Sequence, residues 1–217
     1  MVLAQITSLA LVDAFNPCTI SVMALLLSAL VIRKGCRDVL LGGMLFTVTV
    51  FVMYALYGAG LLQVVYAFGI QREIQLVLKV LLIVMALVEF NAYLSYKPGF
   101  ASMEMPMSFR PLAKKVVQSV ESPLMAIPVA ALCSILLLPC SSGPYVLALG
   151  ILAKYPFFVM LPFLIYYNIL FTLPMVVLTV LVAFGTSPQR IMKLKEKYIK
   201  ELHLIAGILL IAVLFMV

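Results

Sequence analysis

The run FFVMLPFLIYYNILFTLPMVVLTVLVAF, residues 157 to 184, contains no charged side chain. It exceeds the ~20 apolar residues a helix needs to cross a bilayer. Polar punctuation divides the chain into six such stretches, at residues 5–32, 39–69, 73–95, 123–153, 156–185 and 200–217. Backbone in lipid must satisfy its own hydrogen bonds, so only helices or closed barrels span it. Apolar runs of this length, rather than alternating segments of ~10 residues, select helices. Composition agrees: 65% of the 217 residues are hydrophobic and 11% charged, whereas soluble domains carry about a quarter charged. The first stretch lacks a basic leader and runs past the length of a signal-peptide core, so it reads as a span. The longest polar stretch, Lys97 to Ser122, is too short for a soluble domain. The expected class is an all-α integral membrane protein with six transmembrane helices.

The formal net charge is +7, and its placement is more informative than its size. Twelve of the 15 Lys and Arg residues fall in alternate loops. Arg33, Lys34 and Arg37 follow the first span, and Lys97, Arg110, Lys114 and Lys115 the third. Arg190, Lys193, Lys195, Lys197 and Lys200 follow the fifth. The positive-inside rule places these loops in the cytoplasm and both termini outside, N-out and C-out, in a multi-pass cell-membrane protein. Anchoring to anionic headgroups of the lipid bilayer accounts for the charge. No nucleic-acid partner is expected, because the basic loops are short and no binding domain supports them.

Three spans lie on each side of the 96–122 loop. The chain therefore divides into a first three-helix repeat (1–95), a cytoplasmic loop (96–122) and a second repeat (123–217). FNPCTISVMALLLSAL (15–30) aligns with LLPCSSGPYVLALGIL (137–152), each with Pro-Cys in the first span of its half. Three spans per half force the halves into opposite orientations, an inverted repeat of the kind that builds sites near the bilayer midplane. Helical rise puts Cys18 roughly 22 Å from Arg33, and Cys140 roughly 25 Å from Pro123 and 21 Å from Lys154. Both thiols are thus expected near mid-membrane.

Proline removes a backbone donor and clashes with the preceding turn, so Pro17 and Pro139 are expected to break their helices. Proline also favours the first helical position. Each cysteine would then sit at the N-terminal end of a half-helix, where free N–H groups and the helix dipole stabilise a thiolate. Asn16 and Thr19 around Cys18, and Ser141, Ser142, Gly143 and Pro144 after Cys140, would line a small polar cavity, with Tyr145 beside it. The plain alternative is that each thiol packs as an inert small hydrophobe. That reading is preferred for Cys133, two turns before Cys140, and Cys36 is read as incidental.

At these residues the chain resembles the CcdA family of cytochrome c biogenesis proteins, related to the membrane domain of the thiol reductase DsbD. The carrying motifs are NPC at 16–18 and PCSSGPY at 139–145, and the resemblance in span count and cysteine placement covers nearly the whole chain. The family's first motif usually has proline three residues after the cysteine, where this chain has Ser21. The resemblance implies a thiol–disulfide electron transporter. It would take reducing equivalents from cytoplasmic thioredoxin and pass them to extracytoplasmic thioredoxin-like proteins, through a reversible Cys18–Cys140 disulfide and without a cofactor. The competing reading is export of a small solute or metal ion, since inverted repeats also build transporters and Cys and Met can bind soft metals. The 13 methionines are scattered and His203 is the sole histidine, so no metal site is expected.

Other polar residues carry expectations too. Asp13 reads as a proton relay for Cys18 or as facing an outer vestibule. Lys79, Glu89 and Asn91 are expected to snorkel. Asn168 is expected to bond across helices, His203 to sit at the interface, and the tyrosines to form mostly an interfacial belt. Pro123, Pro128, Pro156, Pro162, Pro174 and Gly42-Gly43 are candidate hinges or close-packing points.

Overall fold

A computed structural model describes residues 2–33, 35–68, 71–95, 110–120 and 122–216. Every regular element among them is helical. In chain order they are α1 (Val2–Ala14), α2 (Pro17–Arg33), α3 (Cys36–Phe68), α4 (Gln71–Leu94) and α5 (Arg110–Gln118). A 3-10 turn at Pro123–Met125 leads into α6 (Ala126–Leu152), followed by α7 (Phe157–Ala183), α8 (Pro188–Lys197) and α9 (Ile199–Met216). Within the expected 96–122 loop, residues 96–109 and 121 lie outside the described residues, and the remainder is mostly the short helix α5 rather than plain loop.

Two helices, α3 and α7, are long and apolar enough to cross a membrane individually. Counting each bent helix pair as one span brings the number to five. The pairs are Val2–Ala14 with Pro17–Val31, bent by 49°, Pro123–Leu138 with Gly143–Leu152, bent by 85°, and Pro188–Lys197 with Ile199–Phe215, bent by 63°. α4 falls outside this set. These apolar helices mark a membrane protein, and the surface agrees. On α7, Ile165, Ile169, Leu173, Val177 and Leu181 recur every fourth residue on one exposed face. An apolar stripe of that length suits lipid tails, not water.

α3 packs along α7 and α6, α4 packs along α9, and α1 inserts among α6, α7 and α9. The core between them is built from Leu9, Met23, Leu27, Phe46, Tyr54, Met160, Leu164 and Phe171. Association of helices in lipid relies on close packing, because the tails are as apolar as the side chains. Gly43 shows this at the α3–α7 contact: a Cβ there would fall on the Thr179 side chain. Gly42 does the same against α2, its Cβ position lying 2.7 Å from Leu30 Cδ1. The Gly42-Gly43 pair is therefore a close-packing point. Pro162 and Pro174 lie inside an unbroken α7, Pro156 precedes its first turn, and Pro123 opens the 3-10 turn.

α5 and α8 are short amphipathic helices that both rest against α2. α5 buries Ala113 and Val117, and α8 buries Pro188 and Ile191. Lys114, Lys115, Arg190, Lys193 and Lys197 point outward.

The glycine contrast is testable by thermal unfolding in detergent. Gly43→Ala should destabilise by about 1–3 kcal/mol through overpacking. Gly60→Ala, where nothing lies within 4 Å, should be neutral or stabilise by up to about 1 kcal/mol. Equal effects at both positions would contradict the close α3–α7 approach.

Candidate functional site

Pro17 opens α2 as its first residue, and Asn16 stands before it as the N-cap. Asn16 Oδ1 accepts the Cys18 backbone N–H at 2.9 Å, which satisfies a donor that the helix start leaves orphaned. On the other side of the joint, α1 closes with Phe15 N–H to Leu11 O and Asn16 N–H to Asp13 O, both 3.1 Å. The expected break is therefore present and capped. Cys18 is buried at the second position of α2, and Thr19 beside it is buried with its hydroxyl.

The second motif lies at the 85° bend of α6. The side chains of Pro139, Cys140 and Ser142 lie outside the described residues. Ser141, Gly143, Pro144 and Tyr145 are all buried. Pro144 lines the same small cavity as Val12, Phe15, Asn16 and Pro17. Ser141 lies next to Asp13 of α1. The joint between α1 and α2 and the bend of α6, more than a hundred residues apart in the chain, thus face one another.

Asp13 is fully buried, so it does not face a vestibule. Its Oδ2 accepts a hydrogen bond from Tyr167 of α7 at 3.0 Å. Among the described residues, Asp13 Oδ1, Thr19 Oγ1 and Ser141 Oγ are buried without a hydrogen-bond partner. Buried polar atoms are ordinarily paired. Asp13, Thr19 and Ser141 thus gather buried polar atoms around the two helix breaks.

Above it stands a cluster of aromatic rings. Tyr54 meets Tyr145 and Tyr145 meets Tyr167 at 5.4 Å between centroids, and Tyr54 lies 4.8 Å from Phe171. The Tyr145 hydroxyl donates to the Tyr54 carbonyl and occupies the space a side chain at Gly58 would need. Tyr57 and Ser134 share a further hydrogen bond at 3.1 Å. Tyr145 adjoins the site as expected. Tyr54, Tyr145 and Tyr167, however, are interior residues, not part of an interfacial belt: their rings pack inside the bundle, and the hydroxyls of Tyr145 and Tyr167 donate to the Tyr54 carbonyl and to Asp13.

Two further expectations are corrected. Glu89 does not snorkel and His203 is not interfacial: they are 3% and 2% exposed and bond each other, Nδ1 to Oε2, at 2.6 Å. Asn168 donates its amide to Leu164 O on its own helix, at 2.9 Å, and also meets Tyr145 of α6. Lys79 and Asn91 are exposed, as snorkelling requires. Cys133 is buried in the core, and Cys36 is exposed with its thiol donating to Ala183 O at 2.8 Å. Among the described residues no group of three His, Cys, Asp or Glu side chains is placed to hold a metal ion. The Glu89–His203 pair left one trace in the sequence, a titratable residue in each of two apolar stretches.

Comparison with family models, curated proteins and solved structures finds no match for the chain.

The contact between Asp13 and Tyr167 should appear as coupling. In a double-mutant cycle of Asp13→Asn and Tyr167→Phe, thermal unfolding should give an interaction energy of about 0.5–2 kcal/mol. Additivity within about 0.3 kcal/mol would show that the two side chains do not act together.

Proposed function

We propose that the chain is a membrane thiol–disulfide electron transporter, in which Cys18 and Cys140 alternate between dithiol and disulfide. The observation that carries this reading is the shared cavity of Asn16, Pro17 and Pro144, which brings the neighbourhoods of two Pro-Cys motifs together inside an apolar bundle. A break in a membrane helix is tolerated only against protein or a water-filled cavity. Two breaks set against each other, each followed or preceded by a thiol, suit a chemistry that needs both thiols in one place. The positive end of α2 favours a thiolate at Cys18.

The exchange balances as follows. A Cys18 thiolate, having released its proton, attacks one sulfur of a partner disulfide. The partner's other sulfur leaves as a thiolate and takes up a proton. Cys140, deprotonated in turn, attacks Cys18 Sγ of the mixed disulfide, and the second partner sulfur departs and is protonated. Two electrons have moved outward, and the chain holds a Cys18–Cys140 disulfide. Reduced thioredoxin on the cytoplasmic side reverses these steps and restores the dithiol. Extracytoplasmic thioredoxin-like proteins, including those that serve cytochrome c maturation, are the proposed acceptors, as in the CcdA family the motifs resemble.

Six spans in two inverted halves fit this role. The first and fourth spans meet through α1 and α6, the second and fifth through α3 and α7, and the third and sixth through α4 and α9. Each span touching its counterpart is the pattern that a pseudo-two-fold axis in the membrane plane produces. Such an axis supports alternate presentation of the thiols to the two sides, with both termini outside.

Thiol counting by mass-tagged alkylation tests the reading. Reduced thioredoxin should free two thiols in wild type and none in Cys18→Ser or Cys140→Ser. If all four thiols are already accessible under oxidising conditions and thioredoxin changes nothing, the redox reading fails and solute export takes its place.

A further inference from the structure

The redox reading uses Cys18, Cys140 and their capping residues, and leaves one buried titratable pair without a role. Glu89 of α4 and His203 of α9 form a hydrogen bond of 2.6 Å in the interior. Titratable groups inside membrane spans are costly to keep and tend to mark ion or proton pathways. Both also line the cavity bordered by Asn16, Pro17 and Pro144. That cavity measures about 20 Å³, room for a single water molecule, which needs roughly 10–15 Å³. A solute would not fit; a proton-carrying water would.

We infer that the Glu89–His203 pair is the proton-exchange group of the thiol site, communicating with the α1–α2 joint through this one-water cavity. The inference rests on the redox reading. Each disulfide formed requires two thiol protons to leave and two partner thiolates to gain one. The cavity at the joint is lined from α1, α2, α4, α6 and α9, and the pair is the titratable part of that lining. Imidazole takes up and releases a proton at physiological pH without covalent change, and the carboxylate beside it holds the ring in place. The proton lost by Cys18 passes to the pair and returns to the departing sulfur, so the pair is unchanged over a cycle. No other titratable side chain among the described residues lines the cavity. Asp13 of α1 bonds Tyr167 instead, and Tyr145 of α6 bonds the Tyr54 carbonyl. Cys133 of α6 is packed in the core, and Lys79 on α4 and Lys200 and Glu201 on α9 are exposed.

The chain has one histidine, so nitrogen-15 histidine labelling of the full-length protein in lipid nanodiscs reports His203 alone. The imidazole signals should move between pH 5 and pH 9, as a ring that takes up and releases a proton requires. In stopped-flow exchange with oxidised glutathione, His203→Gln and Glu89→Gln should each slow the reaction by about 10²-fold at neutral pH. The loss should shrink as pH rises toward 9, where hydroxide removes the thiol proton without help. A merely structural role predicts the same fractional loss at every pH. Imidazole signals that stay fixed over that range, or variant profiles parallel to wild type, overturn the inference. Wild-type exchange that survives Cys18→Ser removes the redox reading, and this role with it.

Discussion

A peptide group in an apolar bundle cannot go unpaired without a cost of several kcal/mol, and most of this architecture answers to that constraint. Long unbroken helices such as α3 and α7 meet it within themselves. α1, α2 and α6 do not, because they are interrupted at Pro17 and at the bend before Pro144, and each interruption strands backbone groups. At the first joint Asn16 repairs the deficit, its side chain accepting the Cys18 N–H. The joint and the bend also shelter each other, which keeps both away from lipid. A polar interior follows from this arrangement: Asp13, Ser141 and Thr19 gather where the backbone is irregular, not where the helices are regular.

Much of the fold was legible in the sequence, for identifiable reasons. Apolar runs longer than a bilayer is thick can be read residue by residue, and proline announces helix breaks through its missing N–H. The break at Asn16-Pro17 and the bend at the second Pro-Cys both came from such local signals. What a local signal cannot specify is which helix faces which. Nothing in the chain around Tyr54 or Tyr167 says that their rings meet across three helices, so they read as interfacial residues by default.

Glu89 and His203 show the same limit most plainly. Each, taken alone, sits near the end of an apolar stretch and is cheaply explained by reaching outward. Their burial depends on α4 lying along α9, a contact between residues 114 positions apart in sequence. Once paired, each offsets part of the cost that the other meets on burial.

The resting of α5 and α8 on α2 has a mechanical consequence. α2 meets α1 at a 49° joint beside Asn16, and it carries two charged paddles along its length. A tilt of a few degrees at that joint would become a displacement of an ångström or more at the far end, roughly 25 Å away along the helix. The basic faces of the paddles would shift with it, so the buried joint and a distant charged surface share one rigid element.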